Sequence, residues 1–360
     1  MDLWFPVSIT FFVSLLAIKV INPIAVKTGL VDLPCARKAH EGHIPLIGGI
    51  AIYLSVLITS ILFIKYSRDL NLYLVASALV LFLGALDDRY QLSVRVRLVA
   101  QVLVASLVIF GTEIYLHSLG FILGSIELKL GVFGVLLTII AIIAGINAIN
   151  MIDGMDGLAG ALSLVAFAAL AFLLSRVTNA WSLLPALFIA ALLGYLVFNL
   201  RLHSSFTKIF MGDSGSMIMG FLVALLTIYF LQSNERSSNV LLQHIDAMLF
   251  SFVVIIIPVV DTLRVVLLRV FILKRSPLAA DRNHIHHALL DIGLNHWQAT
   301  LCLVLVNIFF IVFTFLMNDY IRASFLFIII SLLALGLTQI PFLIKKKLKR
   351  QGNYKNLNNA

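Results

Sequence analysis

The sequence predicts an all-α protein that crosses a membrane many times. Three observations predict it. Composition is the first: the 360 residues are 61% hydrophobic and 12% charged, with a mean hydropathy of +1.06, whereas a soluble domain carries roughly 25% charged residues. Spacing is the second. Apolar runs of roughly twenty residues recur along the chain, and a helix of that length crosses a hydrocarbon layer about 30 Å thick. The third is the sorting of positive charge. One set of loops and helix ends, from Lys19, Lys27, Arg37 and Lys38 through Arg89 and Arg282 to the Lys345–Arg350 run and Lys355, holds 20 of the 26 Lys and Arg; Lys65, Arg68, Lys129, Arg176, Arg236 and Arg322 hold the other six. Basic residues mark cytoplasmic loops, so the N-terminus is expected outside (periplasmic) and the C-terminus inside.

Apolar runs fall near 3–21, 44–64, 69–86, 98–117, 131–149, 158–175, 183–200, 215–232, 245–263, 299–317 and 321–343, which gives about 11 transmembrane helices. The first begins without a basic leader or a small-residue cleavage site, and reads as an uncleaved helix. Only a short polar turn, Lys65 to Asp69, parts the second from the third. Between the fourth and fifth, Gly120–Gly131 alternates apolar and polar residues around Ser125, Glu127 and Lys129, the pattern of a small extracytoplasmic hairpin. Pro258 lies inside the ninth run and predicts a kink. Such a bend would open a lateral groove towards lipid, although a proline is also simply tolerated in membrane helices. No internal repeat and no second soluble domain is evident. The expected organisation is one integral membrane domain over 1–344 and a basic cytoplasmic tail over 345–360.

The net charge of +9 and pI of about 9.6 are explained by basic loops, so no nucleic-acid partner is inferred. Cys35 and Cys302 lie far apart and imply no disulfide framework.

Four polar segments on the expected cytoplasmic side can carry chemistry. Gly84-Ala85-Leu86-Asp87-Asp88-Arg89 closes the third helix. Two adjacent carboxylates beside hydrocarbon repel each other, and acids at a helix C-terminus oppose its dipole; the plain alternative is an acidic cap paired with Arg89. Asn147 to Gly157 joins the fifth and sixth helices. If that segment is helical, Asp153 and Asp156 share a face. Helix capping by Asp156 accounts for one Asp, but not for two Asp, two Asn and two Gly together. Phe210-Met211-Gly212-Asp213-Ser214-Gly215 precedes the eighth helix. There Asp213 or Ser214 is either an N-cap or part of an oxygen-rich loop facing a metal or phosphate. Asp281-Arg282-Asn283-His284-Ile285-His286-His287 occupies the longest basic loop. Its histidines suit a metal or phosphate contacts, or belong to a solvated polar loop. With no Cys near and oxygen ligands elsewhere, they are assigned to an anionic substrate, and Mg²⁺ or Mn²⁺ is preferred to Zn²⁺.

Five aspartates on one face (Asp87, Asp88, Asp153, Asp156 and Asp213) call for cations, and Mg²⁺ brings phosphates. Phosphoryl transfer at a membrane surface follows as the expected chemistry. A transporter places charge near the bilayer midplane, whereas here the helix centres are nearly bare of it. A polyprenol-phosphate carrier without catalysis is the remaining contrast.

In these motifs, together with Gly29-Leu30-Val31-Asp32 and Arg37 to Gly49, the chain resembles the polyprenyl-phosphate N-acetylhexosamine-1-phosphate transferases. This family also contains phospho-MurNAc-pentapeptide translocase. The resemblance runs over nearly the whole chain, and the His-Ile-His-His form is similar to the N-acetylglucosamine branch. It implies transfer of GlcNAc-1-phosphate from UDP-GlcNAc to undecaprenyl phosphate, with UMP released, at the bacterial inner membrane. That is the first membrane step of O-antigen and enterobacterial common antigen synthesis. It implies Asp213 as the principal Mg²⁺ ligand (Mn²⁺ being the alternative) and Asp87, Asp88, Asp153 and Asp156 as catalytic. Asn147, Asn150, Arg282, His284, His286 and His287 are implied as substrate-binding, with Lys38 and His40 as further candidates. Partners are the two substrates and membrane lipids; the oligomeric state, a homodimer included, stays open. Transfer is expected as a direct in-line attack in which Asp87 or Asp88 positions the nucleophile, with a phospho-aspartyl route as the rival.

Overall fold

Within hydrocarbon every backbone N–H and C=O must find its partner inside the segment, so long apolar runs become helices. The computed structural model of the protein describes residues 3–32, 42–122, 126–177, 179–203, 206–235, 246–277 and 281–351. Over these the chain runs α1 (Trp4–Thr28), β1 (Val31–Asp32), β2 (Ile44–Pro45), α2 (Gly48–Phe63), α3 (Arg68–Tyr90), α4 (Val94–Thr112), β3 (Ser118–Ile122), β4 (Ile126–Lys129), α5 (Phe133–Ile152), α6 (Leu158–Val177), α7 (Asn179–Asn199) and α8 (Gly212–Glu235). It continues through α9 (Ala247–Val254), α10 (Ile256–Leu267), α11 (Ile285–Asp291), α12 (His296–Met317) and α13 (Ala323–Arg350). This is a many-pass, all-α membrane protein.

Among the described residues, nine helices are long and apolar enough to cross a membrane, and the bent pair α9–α10 makes a tenth. The second expected run is the apolar but shorter α2, with 16 residues. The kink expected at Pro258 lies three residues earlier: the chain breaks at Ile255 and bends by 73°. Proline lacks an N–H and its ring clashes with the carbonyl four residues back, here Val254. The helix therefore restarts, with Pro258 in the first turn of α10, where its missing N–H costs nothing. Past α10 the backbone continues as one π-helical turn, Leu268–Ile272. At the C-terminus, α13 runs through the expected boundary at 344, so Lys345 to Arg350 lie on a helix. Lys and Arg are good helix formers and complement the negative C-terminal end of the helix dipole.

The centre of the bundle is α8. Its apolar window is 89% buried, against 22% for α1 and for α13, and α3, α5, α6 and α2 pack around it. The antiparallel pair β1–β2 leads into a parallel bridge from Leu46 to Phe210. Gly48 N donates to Phe210 O at 2.9 Å and Gly49 N to Met211 O at 3.1 Å. This ladder fastens the segment before α8 to the start of α2. The hairpin β3–β4 forms as expected, with Ser118 opposite Lys129 and a register irregularity before Phe121. Just before the hairpin, His117 Nε2 lies 3.2 Å from Gln232 Nε2 at the far end of α8.

Two apolar cores result. The larger gathers buried side chains from α1 to α8 with Phe250 and Val254 of α9, and the smaller joins α9 to α13 with Ile152, Met155, Leu158 and Leu162. The loop between α5 and α6 therefore sits on the seam between them.

Candidate active site

The site is built on the N-terminus of α8. Four N–H groups at a helix start lack intrahelical partners and carry partial positive charge. Neither Asp213 nor Ser214 caps them. The cap comes from the last turn of α3: Asp88 Oδ1 accepts from Asp213 N at 2.7 Å and Oδ2 from Ser214 N at 3.1 Å. Glycine makes the approach possible. A Cβ on Gly84 would collide with the Ser214 backbone, and one on Gly49 with that of Gly215. Gly212, at φ 72°, holds the left-handed backbone that turns the chain into α8.

Asp87 has other donors, while also lying against Asp213. Its carboxylate accepts from Leu92 N at 2.8 Å and pairs with Arg97 at 2.7 Å. The two adjacent acids therefore escape mutual repulsion by facing different donors. Arg89, the partner of the pair in the plain capping alternative, donates instead to Gly29 O at 3.3 Å.

Asp213 Oδ1 accepts from Asn150 Nδ2 at 2.7 Å, and the same nitrogen reaches Ser216 Oγ at 3.0 Å. One turn earlier, Asn147 commits its amide to Gln101 at 2.9 Å and to Ile143 O at 2.8 Å, and is not drawn into the cluster. Helix α5 ends at Ile152, so the face-sharing expected of Asp153 and Asp156 does not arise. Gly157, at φ 74°, turns the chain, and its N–H is held by Asn199 Oδ1 at 2.6 Å. Asp153 faces inward. Desolvation first, then the negative charges of Asp213, Asp88 and Asp156, push its carboxyl up to about 8. Asp156 faces outward to Lys208 at 2.7 Å and His296 at 3.4 Å. Partial burial acts against its charge, but hydrogen bonds from His296 and Lys208 hold its pKa below the usual carboxylate range.

The histidine segment closes the site from the second core. Asp261, 1% exposed, pairs with Arg264 at 2.8 Å, with His284 Nδ1 at 2.8 Å and with Ile285 N at 3.0 Å. A carboxylate only accepts, so His284 donates from Nδ1. Arg264 also binds the carbonyl of Asn283. The upstream end is tied by buried Arg269, which reaches Asp281 at 2.8 Å and Pro277 O at 2.8 Å. Desolvation of Asp281 is outweighed by its bonds to Arg269 and Asn283, which hold its pKa well down. His286 packs its ring on Gly154, where any Cβ would collide with it. Burial, then the neighbouring His287 and His284, push its pKa down to about 3, so it is neutral at pH 7. Burial and Arg282 lower His287 as well. The Nδ1 atoms of His286 and His287 are buried with no hydrogen-bond partner among the described residues, while Arg282 is exposed at the rim. Lys38 and His40 lie outside the described residues.

The donor set suits a hard cation. Asp88 accepts from the Asp213 and Ser214 amides, Asp213 accepts from Asn150 and lies against Asp87, Asp153 lies among other acids, and Arg97 is paired with Asp87. Among the described residues, no three His, Cys, Asp or Glu side chains converge tightly enough to cage a metal ion. Mg²⁺ does not ask for a cage, since it binds through one or two carboxylates and keeps waters and phosphates as its other ligands. Asp213, with Asp153 beside it, fits that habit.

Residues 70–231, which carry all five aspartates, match the model of glycosyl transferase family 4. The chain is 38% identical over 299 residues to the undecaprenyl-phosphate alpha-N-acetylglucosaminyl 1-phosphate transferase of Salmonella typhi, covering 82% of this chain and 78% of that protein. It is 37% identical over 285 residues to the Escherichia coli K12 protein of the same name, covering 78% and 75%. The Pasteurella multocida protein of that name is 38% identical over 298 residues, covering 81% and 80%. The chain belongs to glycosyl transferase family 4. The family-4 match ends before the histidine segment, which the fold itself brings to the aspartates through the contact of His286 with Gly154. Several supporting residues were not singled out from the sequence as parts of a site: Asp261, Arg97, Lys208, His296 and Asn199. Of these, only Asp261 carried a local signal, a carboxylate within an apolar run beside a proline.

Proposed function

We propose that this chain transfers GlcNAc-1-phosphate from UDP-GlcNAc to undecaprenyl phosphate, yielding undecaprenyl-diphospho-GlcNAc and UMP. One observation carries the reading. In a family-4 chain, three carboxylates crowd the start of α8 at the end of the helix bundle, and the histidine segment, with His286 and His287 keeping ring nitrogens without a partner among the described residues, packs on the adjoining loop through His286 at Gly154. Sugar nucleotide is soluble and the acceptor phosphate sits at headgroup level, so chemistry between them belongs at a helix-end site. The basic loops favour the cytoplasmic face of the bacterial inner membrane for that end.

The residues divide the work. Asp213, with Asp153 beside it, would hold Mg²⁺ or Mn²⁺, which neutralises the diphosphate when bound. His286, uncharged, offers an N–H to phosphate oxygen without repelling Arg282, and Arg282 supplies positive charge at the rim. Asp156, held ionised by Lys208 and His296, fixes the mouth of the seam loop. A phosphate monoester has a second pKa near 6, so the acceptor is largely dianionic at pH 7 and needs little general-base help. Asp88 would have to abandon two α8 N–H bonds to become a nucleophile, and Asp87 its pairing with Arg97. These arrangements support direct in-line attack over a phospho-aspartyl intermediate.

The test is UMP release by purified protein. It should require UDP-GlcNAc, undecaprenyl phosphate and a divalent cation together, and Asp213→Asn should lower it by at least about 100-fold in protein that still folds. No UMP with all components present ends the proposal. Label from phospho-GlcNAc trapped on the protein without acceptor ends the direct route.

A further inference from the structure

We propose that a groove between the end of α13 and the histidine segment binds the headgroup of an anionic phospholipid, and that this lipid steadies the histidine segment. The groove has a volume of about 430 Å³ and is lined by Asn283, Phe342, Lys345, Lys346, Lys349 and Arg350. Five of the six belong to α13. Positions 342, 345, 346, 349 and 350 are spaced by three and four, which places them on one stripe of a helix. Asn283, on the facing wall, immediately precedes His284.

Charge calls for an anion there. Four cationic side chains line the groove; Lys345 already holds Asp291 and Lys349 has a partner of its own, and the carboxylates around the groove are engaged, so Lys346 and Arg350 carry the unbalanced charge. Lys345 holds Asp291 of α11, Arg269 holds Asp281, and Arg264 with His284 holds Asp261. Lys346 and Arg350 form no ion pair among the described residues. The dipole of α13 offsets part of this charge, but a helix end does not require a concave face lined by four cations.

The place in the fold selects a lipid. The apolar run of α13 ends just before the groove, with Leu343 64% exposed. Further back, Leu335 and Leu332 are also exposed on the side of the helix that carries the groove. A phospholipid can set its phosphate among the lysines and its chains along these side chains; a soluble phosphate gains nothing from them. Clusters of Lys and Arg directly after a membrane helix favour anionic headgroups.

Its effect on the site follows from shared parts. Phe342, on the groove floor, lies under the Arg264 guanidinium at 4.2 Å. The same guanidinium binds Asp261 and the Asn283 carbonyl, and Lys345 ties α13 to α11. An anion drawing in Lys346 and Arg350 holds α13 against the element that carries His286 and His287.

Lipid retention by the detergent-purified full chain, read by native mass spectrometry, tests the proposal without turnover. Wild type should retain phosphatidylglycerol in preference to phosphatidylcholine, and Lys346→Gln/Arg350→Gln should weaken that retention by about ten-fold or more. High salt should erase the preference in wild type, a check that needs no variant. No preference in wild type, wild-type preference in the variant, or displacement of the lipid by inorganic phosphate overturns the lipid site. In phosphatidylcholine vesicles, added phosphatidylglycerol should raise UMP release several-fold for wild type and not for the variant; equal rates for wild type overturn the steadying effect. Absence of UMP in every vesicle would count against the transferase reading, while retention still decides the lipid site.

Discussion

Asp261 is surrounded by donors that fix three things at once: the Arg264 side chain, the His284 ring and the first N–H of α11. Replacing it by Asn keeps the size but puts an NH₂ against at least one of those donors. Asp261→Asn should lower kcat for UMP release by about 10–100-fold, the usual effect of losing a carboxylate that orients a histidine. A wild-type rate would sink the anchoring role. His286 makes a prediction about pH. Its pKa is depressed from 6.5 to about 3 in the fold, so below pH 6.5 the unfolded chain takes up a proton that the folded chain refuses. Stability should therefore fall as pH drops from 6.5 towards 3. Melting curves of His286→Asn should show a shallower acid-side slope than wild type. The aspartates were legible in the sequence because glycines and paired acids mark them. Lys208, His296 and Arg97 were not, since their partners lie 52, 140 and 10 positions away and only the fold brings them close.

At the scale of elements, the start of α8 is set by backbone against backbone. Gly84 lies where any Cβ meets the Ser214 main chain, and main chain cannot rotate aside. Gly84→Ala should destabilise the protein by about 1–3 kcal/mol and displace Asp88 from its cap. Chemical denaturation beside the UMP assay will show both losses or refute the close-approach argument. The helices were legible because hydrocarbon leaves the backbone few options. The α9–α10 break was legible in its cause, Pro258, and displaced by three residues because the steric conflict lies upstream of the ring. The helical course of Lys345 to Arg350 was missed as a structured element, since a run of charge after an apolar stretch reads equally as a tail. Which helix faces which was not legible: α8 differs from its neighbours in burial, not in apolar character.

At the scale of the whole molecule, the helix ends that carry Asp87, Asp88 and Asp213 belong to the first core and the histidine segment packs with the second, with the loop 153–157 on the seam. A cation that relieves the crowded carboxylates binds the folded chain and not the unfolded one, and so adds stability. Mg²⁺ should raise the melting temperature of wild type, chelation should reverse it, and Asp213→Asn should show little of either; an equal shift in the variant would remove Asp213 from the metal site. The wider architecture was legible as many helices with chemistry at one end. The division into two packed groups was not, because the apolar runs look alike on both sides of it.

The cap on α8 bears on how the protein meets its substrate. An open helix N-terminus attracts phosphate unaided, through its amides and its dipole. In this chain that berth is taken by the Asp88 carboxylate. An incoming diphosphate therefore meets oxygen where many nucleotide-binding proteins present nitrogen. On the proposed reading, recognition would move onto mobile charge, a divalent cation and the arginine at the rim, and the binding step would become one the surrounding electrolyte can tune.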